Sequence, residues 1–91
     1  MAASYKEPKE QVENRNIRAQ LPILNGKGKK QVRCYTTLEK AILGTIRWLL
    51  RHGKVGNRVE LYHEVTGHQF GIIRLNVHGE IASNFAYHDY L

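Results

Sequence analysis

The sequence predicts a small α+β domain, with one amphipathic helix packed on an antiparallel three-stranded β-meander. Two observations predict this fold. Apolar residues recur at helical spacing within residues 37–52. Residues 58–87 instead alternate between apolar and polar positions, and two turns whose fourth residue is glycine interrupt them. The pattern leaves room for an additional N-terminal β-hairpin.

The helix is the best-defined element of the prediction. Thr36 and Glu39 fit the S/T-x-x-E capping box at its start. Gly53 fits the left-handed residue that follows many helices. Gly44 lies inside the helix at a cost of about 1 kcal/mol relative to alanine, which predicts close approach of another backbone. The predicted buried stripe consists of Leu38, Ala41, Ile42, Thr45, Ile46 and Leu49.

The two turns that follow, at residues 64–67 and 76–79, fit type I turns with a left-handed glycine and a bulge. This geometry sets the register of the meander. The predicted pairs are Val59 with Ile73, Leu61 with Gly71, Glu64 with His68, Leu75 with Ile81 and Gly71 with Phe85. The face that carries Leu61 and Ile73 should therefore meet the helix.

The N-terminal part of the chain is polar and divides from the rest at Leu21. Residues 1–20 are expected to form a mobile or weakly helical arm, with a marginal helix from about Lys9 to Gln20. Residues 21–91 are expected to form a single α+β domain. Within it, residues 21–35 could form a hairpin around the glycine-containing segment 25–28.

Length and composition restrict the class of protein. A chain of 91 residues has room for one domain and buries little surface, so self-association would help its stability. Its single cysteine, Cys34, is typical of a reducing compartment. No signal peptide is recognisable, because residues 1–8 lack an apolar core. No segment is expected to span a membrane, because Arg47 interrupts the longest apolar run. We expect a soluble, cytoplasmic protein without a membrane partner.

The whole chain carries a net charge of +6, and its basic residues are concentrated in the first two thirds. Residues 58–91 hold two arginines against four acidic residues, so the sheet is slightly acidic. Such asymmetry predicts either attraction to nucleic acid or a solvated surface. The residues predicted to contact nucleic acid are Lys27, Lys29, Lys30, Arg33, Lys40, Arg47, Arg51 and Lys54. Trp48 flanks this stripe, and packing is a better interpretation of it than base stacking.

No catalytic constellation can be assembled from the spacing of the residues, so we expect a protein that is not an enzyme and needs neither a cofactor nor a metal. His63 and His68 are five positions apart and straddle a turn, whereas the zinc-protease motif needs two histidines four apart on a helix. Cys34 has no base near it in the predicted strand.

The outer face of the meander, opposite the helix, is polar at its margins and apolar in the middle. The predicted apolar patch consists of Tyr62, Phe70, Ile72, Ala82 and Ala86. Small proteins rarely expose such a patch without a use. The leading prediction is therefore a non-catalytic interaction or accessory module that acts through this face, as a homodimer or with a protein partner. Nucleic-acid binding is the alternative.

Overall fold

A computed structural model describes residues 15–23 and 31–91. One helix packs on a five-stranded antiparallel sheet with the strand order β2-β1-β3-β4-β5. The elements in chain order are β1 (Ile17–Leu21), β2 (Gln31–Tyr35), α1 (Leu38–His52), β3 (Arg58–His63), β4 (Gln69–Leu75), β5 (Ile81–Ser83) and a 3₁₀ helix (Tyr87–Tyr90). The α+β class and the β3-β4-β5 meander are confirmed, but the sheet has two more strands than the meander.

Helix α1 begins one residue later than the capping box predicts. Its N-cap is Thr37, whose hydroxyl oxygen accepts a hydrogen bond from the backbone N–H of Lys40 at 3.1 Å. The prediction of a Thr36 cap is wrong because two adjacent threonines compete for the position, and only the backbone path selects between them. The prediction for Gly53 is also wrong. Its backbone is extended, with φ −72° and ψ 153°, while its N–H donates to the Leu49 carbonyl at 2.9 Å.

The core lies between α1 and the inner face of the sheet. The helix buries most of the predicted stripe, and Leu38 and Ile46 pack at its margin. Trp48 joins the core with only 6 % of its surface exposed. The buried side chains of the sheet are Ile17, Ala19, Leu21, Val59, Leu61, Ile73 and Leu75. Burial of these apolar groups is the main stabilising contribution to the fold.

Gly44 makes room for a side chain and not, as the sequence suggested, for a backbone. A Cβ atom at this position would lie 2.8 Å from Cε1 and Cζ of Tyr35, so a side chain here would have to displace the ring. Tyr35 is the last residue of β2, so its ring bridges the outermost described strand and the middle of the helix. The missing side chain at position 44 lets strand and helix approach each other here.

A bulge in β4 changes one part of the predicted register. The pairs Val59–Ile73 and Leu61–Gly71 are as predicted, but the next pair is Tyr62–Gln69, which leaves Phe70 as an extra residue. Phe70 consequently packs against the buried core cluster. Its predicted place on the outer face is therefore wrong, because a one-residue irregularity changes the face to which a strand residue belongs.

The same bulge shifts the pairing next to the turn at residues 64–67. The N–H of His63, and not that of Glu64, bonds to the carbonyl of His68, at 2.7 Å, so the predicted Glu64–His68 pair is wrong. Gly67 has the expected positive φ of 74°. At the second turn, Asn76 pairs with Glu80 as the predicted register requires.

Gly71 lies under the ring of Phe85, which confirms the predicted proximity of these two residues. The glycine has φ 150°, a conformation that other residues rarely adopt. A Cβ atom there would meet the Phe85 ring and would lie 2.6 Å from Oδ1 of Asn84. The segment that follows β5 can therefore fold back over the sheet.

The N-terminal hairpin exists, but its first strand lies earlier in the chain than predicted. β1 begins at Ile17, inside the segment assigned to the polar arm, and it pairs with both β2 and β3. The predicted helix over Lys9–Gln20 is wrong from Arg15 onwards, and residues 9–14 lie outside the described residues. Strand pairing on both sides stabilises β1 although its own apolar pattern is short.

Candidate functional site

A groove runs between the edge of the sheet and the C-terminal half of α1. β2 is the outermost strand of the described sheet on this side. Arg33 and Tyr35 pair with Ala19 and Ile17, whose side chains are buried beneath the helix, so both point to the helix side. The groove has a volume of about 270 Å³, and its helical wall consists of Gly44, Arg47, Trp48, Arg51 and His52.

The charged groups of this groove are all basic. Arg33, Arg47 and Arg51 are exposed, and none of them forms an ion pair with a carboxylate of the described residues. Arg47 and Arg51 are four residues apart on one helix, where like charges repel each other by a few tenths of a kcal/mol. No carboxylate of the described residues compensates this positive charge, which favours an anionic ligand.

The floor of the groove is aromatic but largely closed. Trp48 is 6 % exposed, and its ring centroid lies 6.0 Å from that of His52. Tyr35 is half-buried against Gly44. The preference for Trp48 as a packing residue is confirmed. Because its ring is covered, Trp48 offers no face on which a base could stack. The exposed side chains of the groove are the guanidinium groups of Arg33, Arg47 and Arg51 and the ring of His52.

Of the residues predicted to contact nucleic acid, the structure brings together Arg33, Arg47 and Arg51. Lys40 lies in the first turn of α1 and lines a separate depression beside Cys34 and Thr36. Lys54 follows the helix, and its backbone N–H donates to Oδ1 of Asn57 at 2.6 Å. The remaining predicted residues, Lys27, Lys29 and Lys30, lie outside the described residues.

Tyr35 and His52 were not singled out from the sequence as site residues. Tyr35 is the last residue of β2, and its place beside the helix depends on the pairing of β2 with β1. The four-residue spacing between Trp48 and His52 is the signal that could have placed them on the same face of the helix. Both line the groove in the structure.

The predicted apolar patch on the outer face is smaller than expected. Tyr62, Ile72 and Ala82 do lie on that face, half-buried, and their ladder partners Gln69, Glu60 and Arg74 share it. Phe70 packs against the core, and Ala86 is an exposed residue beyond the end of β5. Because charged residues such as Arg18 and Glu60 share this face, the patch is interrupted.

The histidines at the first turn have a structural explanation. Nδ1 of His63 accepts hydrogen bonds from the backbone N–H groups of Val65 and Thr66, each at 3.2 Å, so this ring stabilises the turn. Within residues 15–23 and 31–91, no group of three or more His, Cys, Asp or Glu side chains is placed to hold a metal ion. Within the same residues, no helix has the length and apolar character needed to span a membrane.

The comparisons with known proteins give no relative from which a function could be transferred. Neither the models of protein families, nor the curated proteins, nor the solved structures contain a match to this chain.

Proposed function

We propose that the protein binds nucleic acid through contacts between the arginine groove and the phosphate backbone. One observation carries this proposal. Arg33 from β2 and Arg47 and Arg51 from α1 line a single groove, and none of the described residues in its wall is acidic. Guanidinium groups form charge-assisted hydrogen bonds with phosphate oxygens, which suits them to this contact.

The chemistry of the groove indicates binding that depends little on base sequence. Lys and Arg contacts to phosphate position a protein on nucleic acid without reading its sequence. Trp48 is 6 % exposed and offers no face for stacking, so the exposed ring of His52 is the aromatic group beside the arginines. Each phosphate contact adds roughly 0.9 to the slope of log K against log salt for duplex DNA, so three arginines predict a contribution of about 3.

A second proposal is that the protein is a non-catalytic interaction module that self-associates through the outer face of the sheet. Helix α1 packs on the inner face of the sheet, beside the buried residues Ala19 and Ile73, and no described element covers Tyr62, Ile72 and Ala82. This proposal has less support than the groove, because Phe70 and Ala86 do not belong to the patch.

The groove proposal can be tested by measuring the binding of fluorescently labelled duplex and single-stranded oligonucleotides at several salt concentrations. The double variant Arg47→Gln/Arg51→Gln should weaken binding and lower the salt slope by about 2. Lys40→Gln is the matched control, since it removes a positive charge from the same helix outside the groove. The proposal fails if the unmodified protein binds no oligonucleotide at about 50 mM salt. It also fails if Lys40→Gln has the same effect per charge as the groove substitutions.

A further inference from the structure

Two arginines lie directly opposite each other on the outer face of the sheet, away from the groove. Arg58 at the start of β3 is the ladder partner of Arg74 near the end of β4. Like charges at directly opposed positions of an antiparallel pair destabilise the sheet. Both side chains are exposed, and neither forms an ion pair with a carboxylate of the described residues, including Glu60 two positions further along β3.

The surroundings of this pair are rich in hydrogen-bond donors. Arg58 and Arg74 line a depression of about 340 Å³ together with Ile72, Ser83 and Asn84. Oδ1 of Asn84 accepts from the backbone N–H of Ile72 at 2.8 Å. This bond fixes the orientation of the amide and leaves its NH₂ group with no acceptor among the described residues. Two guanidinium groups and one amide therefore offer donors at one place.

We propose that Arg58 and Arg74 form a second anion site that binds a phosphate group. Opposed residues of an antiparallel pair have Cβ atoms about 5 Å apart, so both guanidinium groups can reach the oxygens of one tetrahedral anion. A bound phosphate relieves the repulsion between the two arginines, which have no other neutralising partner among the described residues. The site shares no residue with the groove and does not depend on it.

The direct test is a titration of the unmodified protein with inorganic phosphate, with chloride at equal ionic strength as the reference. NMR signals of the Nε–Hε groups of Arg58 and Arg74 should shift with phosphate and saturate. Arg74→Glu should lower the phosphate affinity about ten-fold or more, since it replaces one charge-assisted donor by a repelling carboxylate. Absence of a saturable shift in the unmodified protein, or equal affinity in Arg74→Glu, would overturn the proposal.

Thermal unfolding gives a second readout that distinguishes a binding site from a merely structural role. In chloride, Arg74→Glu should unfold at the same or a higher temperature than the unmodified protein, because it places opposite charges on the ladder pair. In phosphate, the unfolding temperature of the unmodified protein should rise more than that of Arg74→Glu, since a ligand stabilises only the folded protein that binds it. General salt effects of phosphate act on both proteins and cancel in this difference. An equal rise in unfolding temperature in both proteins contradicts the proposal.

Two further experiments distinguish this site from the groove and identify the source of the phosphate. Arg47→Gln/Arg51→Gln should retain the response of Arg58 to inorganic phosphate, even where oligonucleotide binding is lost. If the phosphate belongs to nucleic acid, Arg74→Glu lowers the salt slope of oligonucleotide binding by about 1. If it belongs to a small phosphorylated compound, oligonucleotide binding is unchanged while the response to inorganic phosphate is lost. Either result supports a phosphate site at this pair.

Discussion

The phenol ring of Tyr35 lies against Gly44, so that the last residue of β2 is in contact with the middle of α1. A Cβ atom at position 44 would lie 2.8 Å from two carbon atoms of that ring. The contact sets how closely the edge strand approaches the helix, and both residues line the arginine groove. The width of the groove therefore depends on the absence of a side chain at position 44.

This contact predicts that Gly44→Ala has opposite consequences in two backgrounds. In a Tyr35→Ala background, where the ring is missing, Gly44→Ala should stabilise the protein by about 1 kcal/mol through helix propensity. In the unmodified background the new methyl group must displace the ring, so Gly44→Ala should instead destabilise the protein. Chemical denaturation of the four proteins gives the coupling energy, which should exceed about 1 kcal/mol.

The matched control for this cycle is a helix position without a ring above it. Leu43 directly precedes Gly44 in the helix and is 43 % exposed. Leu43→Ala should therefore have the same effect on stability with and without the ring of Tyr35. A coupling energy near zero between positions 35 and 44 would show that the ring does not rest on the helix in solution.

The helix cap distinguishes two adjacent threonines. Thr37→Ala should destabilise the protein by about 1 kcal/mol, because the Lys40 amide loses its acceptor. Thr36→Ala should change the stability by less than about 0.5 kcal/mol, since its side chain does not cap the helix in the structure. Urea denaturation of both variants measures these two changes in stability. A larger effect at Thr36 would restore the cap position that the capping-box pattern indicates.

The bulge in β4 predicts different outcomes for two apolar residues that are two positions apart. Phe70→Glu should destabilise the protein by several kcal/mol, because it places a carboxylate against the core cluster. Ile72→Glu should preserve the fold, since Ile72 lies half-buried on the outer face. Circular dichroism and chemical denaturation measure this difference. The same two variants would give equal losses if β4 had no bulge.

Sedimentation measurements on Ile72→Glu also test the proposal of self-association. If the outer face forms a homodimer, the unmodified protein should show a mass that rises with concentration, and Ile72→Glu should be monomeric. A monomer at every concentration of the unmodified protein removes this second proposal and leaves the groove proposal unaffected.

Elements that depend on local physics were predictable from the sequence. Helix α1 follows from an apolar stripe at helical spacing, and the turn at Gly79 follows from glycine at the position that needs positive φ. Strand β1 was not predictable, because its five residues are polar at two positions and gain their stability from pairing on both sides. The bulge at Phe70 was not predictable either, because a pattern of alternating faces assumes regular pairing and does not reveal an extra residue.

The residues of the candidate site were also predictable only in part from the sequence. The sequence determined that Arg47 and Arg51 share one side of a helix, because residues four apart are neighbours on its surface. Only the tertiary structure decided that Arg33 joins them and that Arg58 opposes Arg74. These relationships depend on which strands pair and in which register, and residues far apart in the chain meet only through that pairing. A local pattern fixes the conformation of its own segment, whereas the position of one segment against another is fixed by the packing of the whole core.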